Sequence, residues 1–252
     1  MCSRSGVVGY LVSPRASDWP ALAVRSSSSR RYERRRSQET WWTFDPESRR
    51  HASDSSVFDN LAEGRWGPEA TAYRPGPETG VQVVTYVRAG RLTRKGANGH
   101  VWTLHAGEFE RTFAEPGDRD MEANPSRTHI AHVFRISLHG PQVPIDRRYA
   151  RKRFAEADRK AMLVLVASGD GRSGSLSLGQ DASIYSGLLY PGQHVTHELA
   201  AGRTAWLHVV SGSASVGELA LMQGDGVRVA SPTVSVTARE HTEVLMVEIE
   251  ER

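Results

Sequence analysis

The sequence predicts an all-β protein made of two copies of one small barrel, and three observations carry that prediction. Segments of strand length recur between glycine-containing turns, among them "VQVVTYVRAG", "HVWTLHAGEFERTF", "AHVFRISLHG", "AMLVLVASGDG", "AWLHVVSGSASVG" and "VLMVEIE". Several alternate in the period of two of a half-buried strand, as Val227 with Val229 and Val234 with Val236. The order of elements also repeats. The first half reads "YRPG", a strand closed by Gly90, then "LHAGEFERTFAEPG"; the second reads "LYPG", a strand closed by Gly212, then "LMQGDGVRVASP". Glycines at such corners stand where a side chain would clash.

Taken in order, the chain opens on a basic leader. Residues 1–37 hold eight arginines (Arg4, Arg15, Arg25, Arg30, Arg31, Arg34, Arg35 and Arg36) against Asp18 and Glu33, a balance of +6. The whole chain carries +3, which leaves −3 for the rest. "RSSSSRRYERRRS" reads as a disordered tail whose arginines are suited to phosphates, so nucleic acid is expected to touch only this leader. "GVVGYLV" followed by "ALA" imitates a signal peptide, but Pro14, Arg15 and Asp18 interrupt it, and the Arg- and Ser-rich character imitates a transit peptide. Residues 38–145 then form the first barrel and residues 163–252 the second. Residues 146–162 join them, and "RRYARKRFAEADRKA" is the one stretch suited to a short helix.

Composition narrows the function classes. With 252 residues, 38% hydrophobic and 24% charged, the chain can bury a core. Its longest apolar runs, such as "AMLVLVA", are far too short to span a bilayer as a helix. A single cysteine, Cys2, excludes an intrachain disulfide framework and a Cys-based zinc site, and makes the cytoplasm the expected compartment. No glycine-rich phosphate loop follows a strand and opens a helix.

The order "ETWWTF", "VQVVTYVRAG", "HAGEFERTFAEPG", "NPS", "RRYARKRF" and "GSLSLGQDASIYSGLLYPG" resembles the pirin family, the bicupins that include quercetin 2,3-dioxygenase-like proteins. The resemblance runs from about residue 34 to the C-terminus. It implies two facing cupin barrels, with a metal pocket in the first built from a His-x-His pair and a His-x-Glu pair. Spacing by two puts both members of a pair on one face of a strand. Carried over by position, the first pair falls on Gly76 and Glu78 and the second on Asp120 and Glu122, so the acid of the second pair is kept and all three histidines are replaced. Glu78, Asp120 and Glu122 offer oxygen alone, which suits a weakly bound hard divalent cation better than a redox-active iron. Without an ion the same acids make a solvated acidic mouth, and this reading, a degenerate metal site, is the favoured expectation. Gly76, Gln82, Asn124 and His132 are expected to line the pocket, Gln82 standing where a cupin motif often carries Glu.

Histidines elsewhere do not restore the set. His194 with His197, and His129 with His132, are spaced by three and face opposite sides of a strand; His105 reads as a loop residue. Trp41, Trp42 and Phe44 read as packing for the first barrel, and Tyr149 and Phe154 as seats for the linker. Two functions stand: a binding module for a small aromatic ligand or a protein partner, or a quercetinase-like oxygenase with an oxygen-ligated metal.

Overall fold

A computed structural model describes residues 22–44, 57–75, 80–96, 99–114, 119–139 and 149–250. Along the chain run β1 (Leu22–Arg25), β2 (Arg31–Arg35), β3 (Gln38–Trp42), β4 (Phe58–Trp66), β5 (Thr71–Pro75), β6 (Val81–Ala89), β7 (Arg91–Lys95), β8 (Val101–His105), β9 (Glu108–Ala114), β10 (Arg119–Ala123), β11 (Ala131–His139) and β12 (Tyr149–Arg153). The second half adds β13 (Leu163–Ser168), β14 (Leu176–Ser177), β15 (Ala182–Leu189), β16 (His194–Glu198), β17 (Arg203–Ser211), β18 (Ser213–Val216), β19 (Leu219–Met222), β20 (Gly226–Val229), β21 (Thr233–Ala238) and β22 (Thr242–Glu250). Each half pairs a seven-stranded sheet with a four-stranded one. In the first the orders are β12-β9-β6-β11-β4-β3-β2 and β5-β10-β7-β8; in the second, β1-β20-β17-β22-β15-β13-β14 and β16-β21-β18-β19. The all-β class read from the strand spacing is the one observed, and so are the two barrels that the repeat and the family resemblance imply.

The two large sheets meet face to face, and this explains why their strands read as continuous apolar runs. On β6, Val87 points into its own barrel with Trp66 and Leu92, while Val84 and Tyr86 point into a seam shared with the second barrel. On β11, Ala131 and Val133 face the barrel, and Phe134, Ile136 and Leu138 face the seam. Strands buried on both sides lose the polar half of the alternation. Across the seam lie Ile184, Trp206, Val210, Leu245 and Val247 of the second barrel.

The repeat is visible in the backbone. Gly90 and Gly212 both have positive φ, 75° and 78°. A Cβ on Gly90 would lie 2.7 Å from the Ile130 carbonyl oxygen, and one on Gly212 would strike the equivalent His241 carbonyl. Both corners therefore require glycine. Of the Pro-Gly turns, Pro191-Gly192 joins β15 to β16, while Tyr73, Arg74 and Pro75 of "YRPG" belong to β5 and Gly76 lies outside the described residues.

Two expectations give way here. Within the leader, residues 22–37 are not disordered: β1 adds to the edge of the second barrel's sheet, Leu22 to Val229 through Arg25 to Gly226, and β2 pairs with β3 on the first barrel. Two of the arginines are held by the first barrel, Arg30 on Glu63 and Arg31 over the Trp42 indole at 5.5 Å. The leader thus ties the two barrels together; residues 1–21 lie outside the described residues. In the linker, residues 149–153 form a strand against β9, followed only by a single 3-10 turn, Ala157–Arg159. Ladder bonds to β9 and burial of Phe154 against Phe109, ring centroids 5.5 Å apart, outweigh helical propensity there.

Candidate functional site

β10 places Asp120 and Glu122 on one face, as their spacing requires, and that face is the interior of the first barrel. The strand lies between β5 and β7, with Asp120 opposite Arg74 and Glu122 opposite both Ala72 and Arg94. From the large sheet, β11 contributes Arg135, and β6 and β9 contribute Thr85 and Glu110, which stand opposite each other. The side chains join in one network. Arg94 Nη2 lies 2.9 Å from Glu122 Oε1 and also donates to Thr85 Oγ1 at 2.9 Å, while its Nη1 donates to Glu110 Oε2 at 2.5 Å. Arg135 Nη2 donates to Glu122 Oε2 at 2.6 Å. Trp102 Nε1 donates to Glu110 Oε1 at 2.5 Å. Arg74 Nη1 stands 4.0 Å from Glu122, with 26% of its side chain exposed at the mouth.

The electrostatics follow from this crowding. Burial works to raise the pKa of Glu122, but Arg135, Arg94 and Arg74 outweigh it and hold the carboxyl at about 2. Glu110, with one arginine and an indole for company, is pushed upward by burial. Arg74 falls to about 10, through burial and against the pull of Glu122, because Arg94 and Arg135 add like charge beside it. Chemically, this interior is a fixed lattice of guanidinium and carboxylate with a cation at the opening.

The remaining expected residues are placed as follows. Gly76 and Glu78 lie outside the described residues. Gln82 does not line the barrel: its amide donates to the Leu178 carbonyl at 3.1 Å and accepts from Gln180, across the seam. His132 likewise faces the seam, its Nε2 2.8 Å from Glu63 Oε1. Both belong to the face of β6 or β11 opposite Thr85 and Arg135, since neighbours along a strand point to opposite sides. Asn124 staples a turn, its amide donating to the carbonyls of Trp66, Gly67 and His129 and its oxygen accepting from Ser126 N–H. Among the described residues no three His, Cys, Asp or Glu side chains converge as a metal site. His197 pairs with Glu248 at 2.8 Å and packs on Tyr185. Arg94 and Arg135 were missed in the sequence; an arginine at an inward strand position, in phase with apolar residues, is the signal that could have found them.

Comparison with known proteins agrees with this fold. Residues 165–249 match the quercetinase C-terminal cupin domain. The chain is 30% identical over 213 residues to a putative quercetin 2,3-dioxygenase of Pseudomonas aeruginosa, covering 80% of this chain and 91% of the relative. It is 28% identical over 218 residues to the quercetin 2,3-dioxygenase of Escherichia coli K12, covering 84% of this chain and 91% of the relative. Among solved structures, YhhW of Escherichia coli superposes with a TM-score of 0.78 at 25% identity, over 92% of this chain and 98% of that one. A structure of bacterial pirin YhhW in complex with nickel(II) gives 0.77 at 24% identity, over 92% and 100%. Among the described residues no helix is long and apolar enough to cross a membrane. The chain belongs to the pirin-like, quercetin 2,3-dioxygenase-like family of bicupins.

Proposed function

We propose that this protein is a cytoplasmic, pirin-like binding module whose first barrel holds a degenerate metal site and does not run metal-dependent oxygenation. One observation carries the reading: Glu122, the acid that the family resemblance assigns to the metal, is ion-paired with Arg94 at 2.9 Å and both ion-paired and hydrogen-bonded with Arg135 at 2.6 Å. A divalent ion at Glu122 would stand among Arg74, Arg94 and Arg135, and like-charge repulsion in a low-dielectric interior opposes it. The donor set therefore does not fit a transition ion: it offers carboxylate already neutralised and no imidazole among the described residues of this barrel's interior. The ligand expected is small and aromatic, or a segment of a protein partner, reaching the mouth beside Arg74.

The second reading, a quercetinase-like oxygenase, is favoured by the activity for which the relatives are named. The two separate in one experiment on protein purified without chelator and without nickel affinity. Metal analysis is expected to find far less than one transition ion per chain, and quercetin to remain unconsumed with no oxygen uptake. One ion per chain, lost together with quercetin turnover in Glu122→Ala, would overturn the proposal.

A further inference from the structure

The two halves carry matching polar clusters along the seam, and they differ in how their central groups are partnered. Counting from Gly90 and Gly212 along the paired strands, Tyr86 of β6 corresponds to His208 of β17, His132 of β11 to Glu243 of β22, and Glu63 of β4 to Ser186 of β15. In one cluster Tyr86 Oη donates to Glu243 Oε1 at 2.5 Å, Arg88 reaches Oε2 at 2.9 Å, and Arg159 bridges Glu243 and Ser186 at 3.0 and 2.9 Å. In the other, Arg30 pairs with Glu63 at 2.8 Å and Glu63 with His132. Yet His208, fully buried, has no hydrogen-bond partner on either ring nitrogen, and Arg30 Nε has none either. A buried polar group left this way is costly and calls for an explanation.

A cleft of about 440 Å³ opens at the same place, between the leader, the first barrel and a turn of the second; Ser27, Arg30, Trp41, Glu63, Arg65 and Gln223 line it. Its charge is unbalanced. Arg30 is 8% exposed and Arg65 40%, and they share the one carboxylate of Glu63, whose Oε2 accepts from Arg30 and whose Oε1 faces His132 and Arg65. The other nearby acid, Asp225, spends both oxygens on the backbone N–H groups of Ser27 and Met222. What remains is an excess of donors: guanidinium, serine hydroxyl and glutamine amide. The His208 ring, 6.0 Å from Phe134, is not one of the lining residues, and burial with Arg30 nearby keeps it neutral, its pKa lowered to about 3.

We propose that this seam cleft is a second binding site, separate from the first barrel's interior, and that it takes a small oxyanion, a carboxylate or phosphate, between Arg30 and Arg65. Two guanidinium groups that share one carboxylate leave net positive charge and charge-assisted donors for such a group. The test is calorimetric titration of the full chain with inorganic phosphate and, separately, acetate at constant ionic strength. Saturable binding with a Kd on the order of 1 mM or tighter is expected for at least one of them, and the arm that binds tells phosphate from carboxylate. Arg65→Gln, a surface change, is expected to weaken it by about tenfold, as loss of one charged hydrogen bond predicts. No saturation with either anion, or binding that Arg65→Gln leaves unchanged, overturns the proposal. So does binding abolished by Arg74→Gln, which would place the ion in the first barrel. This outcome is independent of metal content and quercetin turnover.

Discussion

The two barrels are the same fold built around opposite interiors. Where the first has Thr85, Arg94, Glu110, Glu122 and Arg135, the second has, at the corresponding paired positions, Leu207, Val216, Val227, Val236 and Met246. The second interior is a continuous apolar cluster that includes Tyr185, Leu189, Val209 and Val244. The apolar cluster of the first is confined to one end, around Trp66, Leu92, Leu104 and Val133. The second barrel shows that the fold can be closed mainly by packing, its ion cluster of His197, Arg203 and Glu248 lying near one end of β22. The charges of the first are therefore not needed to make a cupin barrel, and a buried ion network is weak ground for stability by itself. What it does supply is a rigid, pre-oriented electrostatic field at the mouth.

The largest effect expected breaks that network on one side. Glu122→Ala leaves Arg94 and Arg135 buried without their carboxylate and is expected to destabilise the protein by about 3–5 kcal/mol in urea unfolding. The opposite experiment converts the first interior into the second: Thr85→Leu, Arg94→Val, Glu110→Val, Glu122→Val and Arg135→Met together. If the charges serve function, the combined variant unfolds at equal or higher urea, by up to about 4 kcal/mol, while ligand binding is lost. A collapse of stability would instead show the network to be structural.

Acid sharpens the comparison next. Glu122 and Glu63 have folded pKa values of about 2, Glu63 because His132 and Arg30 outweigh its burial. The unfolded chain binds more protons between that value and its own carboxyl pKa of about 4.3, so stability rises with pH across this window and is lost as pH falls through it, by about 3 kcal/mol per group at most. His208 works in the same direction higher up. Its folded pKa of about 3 lies below the unfolded value near 6.5, so stability declines as soon as pH drops below about 6.5. Equilibrium unfolding against pH is expected to show two stages, and His208→Phe to flatten the upper one only.

Smaller effects come from the seam and the surface. Tyr86→Phe removes the hydrogen bond to buried Glu243 and is expected to cost about 1–3 kcal/mol. Arg127→Ala, whose pair with Glu69 is 87% and 69% exposed, is expected to shift stability by less than about 0.5 kcal/mol. A larger cost for the second than for the first would mean that the seam cluster is not the lock between barrels that its geometry describes.

The sequence by itself determined the class of fold and the position of its corners. Strand-length apolar runs, alternation in Val227, Val229, Val234 and Val236, and glycines at 90 and 212 are local properties, set by pleat and by backbone sterics. It also placed Asp120 and Glu122 on one face, since a spacing of two says so without any partner. Tertiary structure decided the rest. Whether a strand buries one side or both was not written in β6 or β11, so Gln82 and His132 were expected inside the barrel and stand instead in the seam. Register across distant strands brought Arg94, Arg135 and Arg74 to Glu122, and a carboxylate cannot announce its counter-ions along the chain. The leader looked like free charge because its partners, Val229, Glu63 and Trp42, lie on strands that only the folded chain brings beside it.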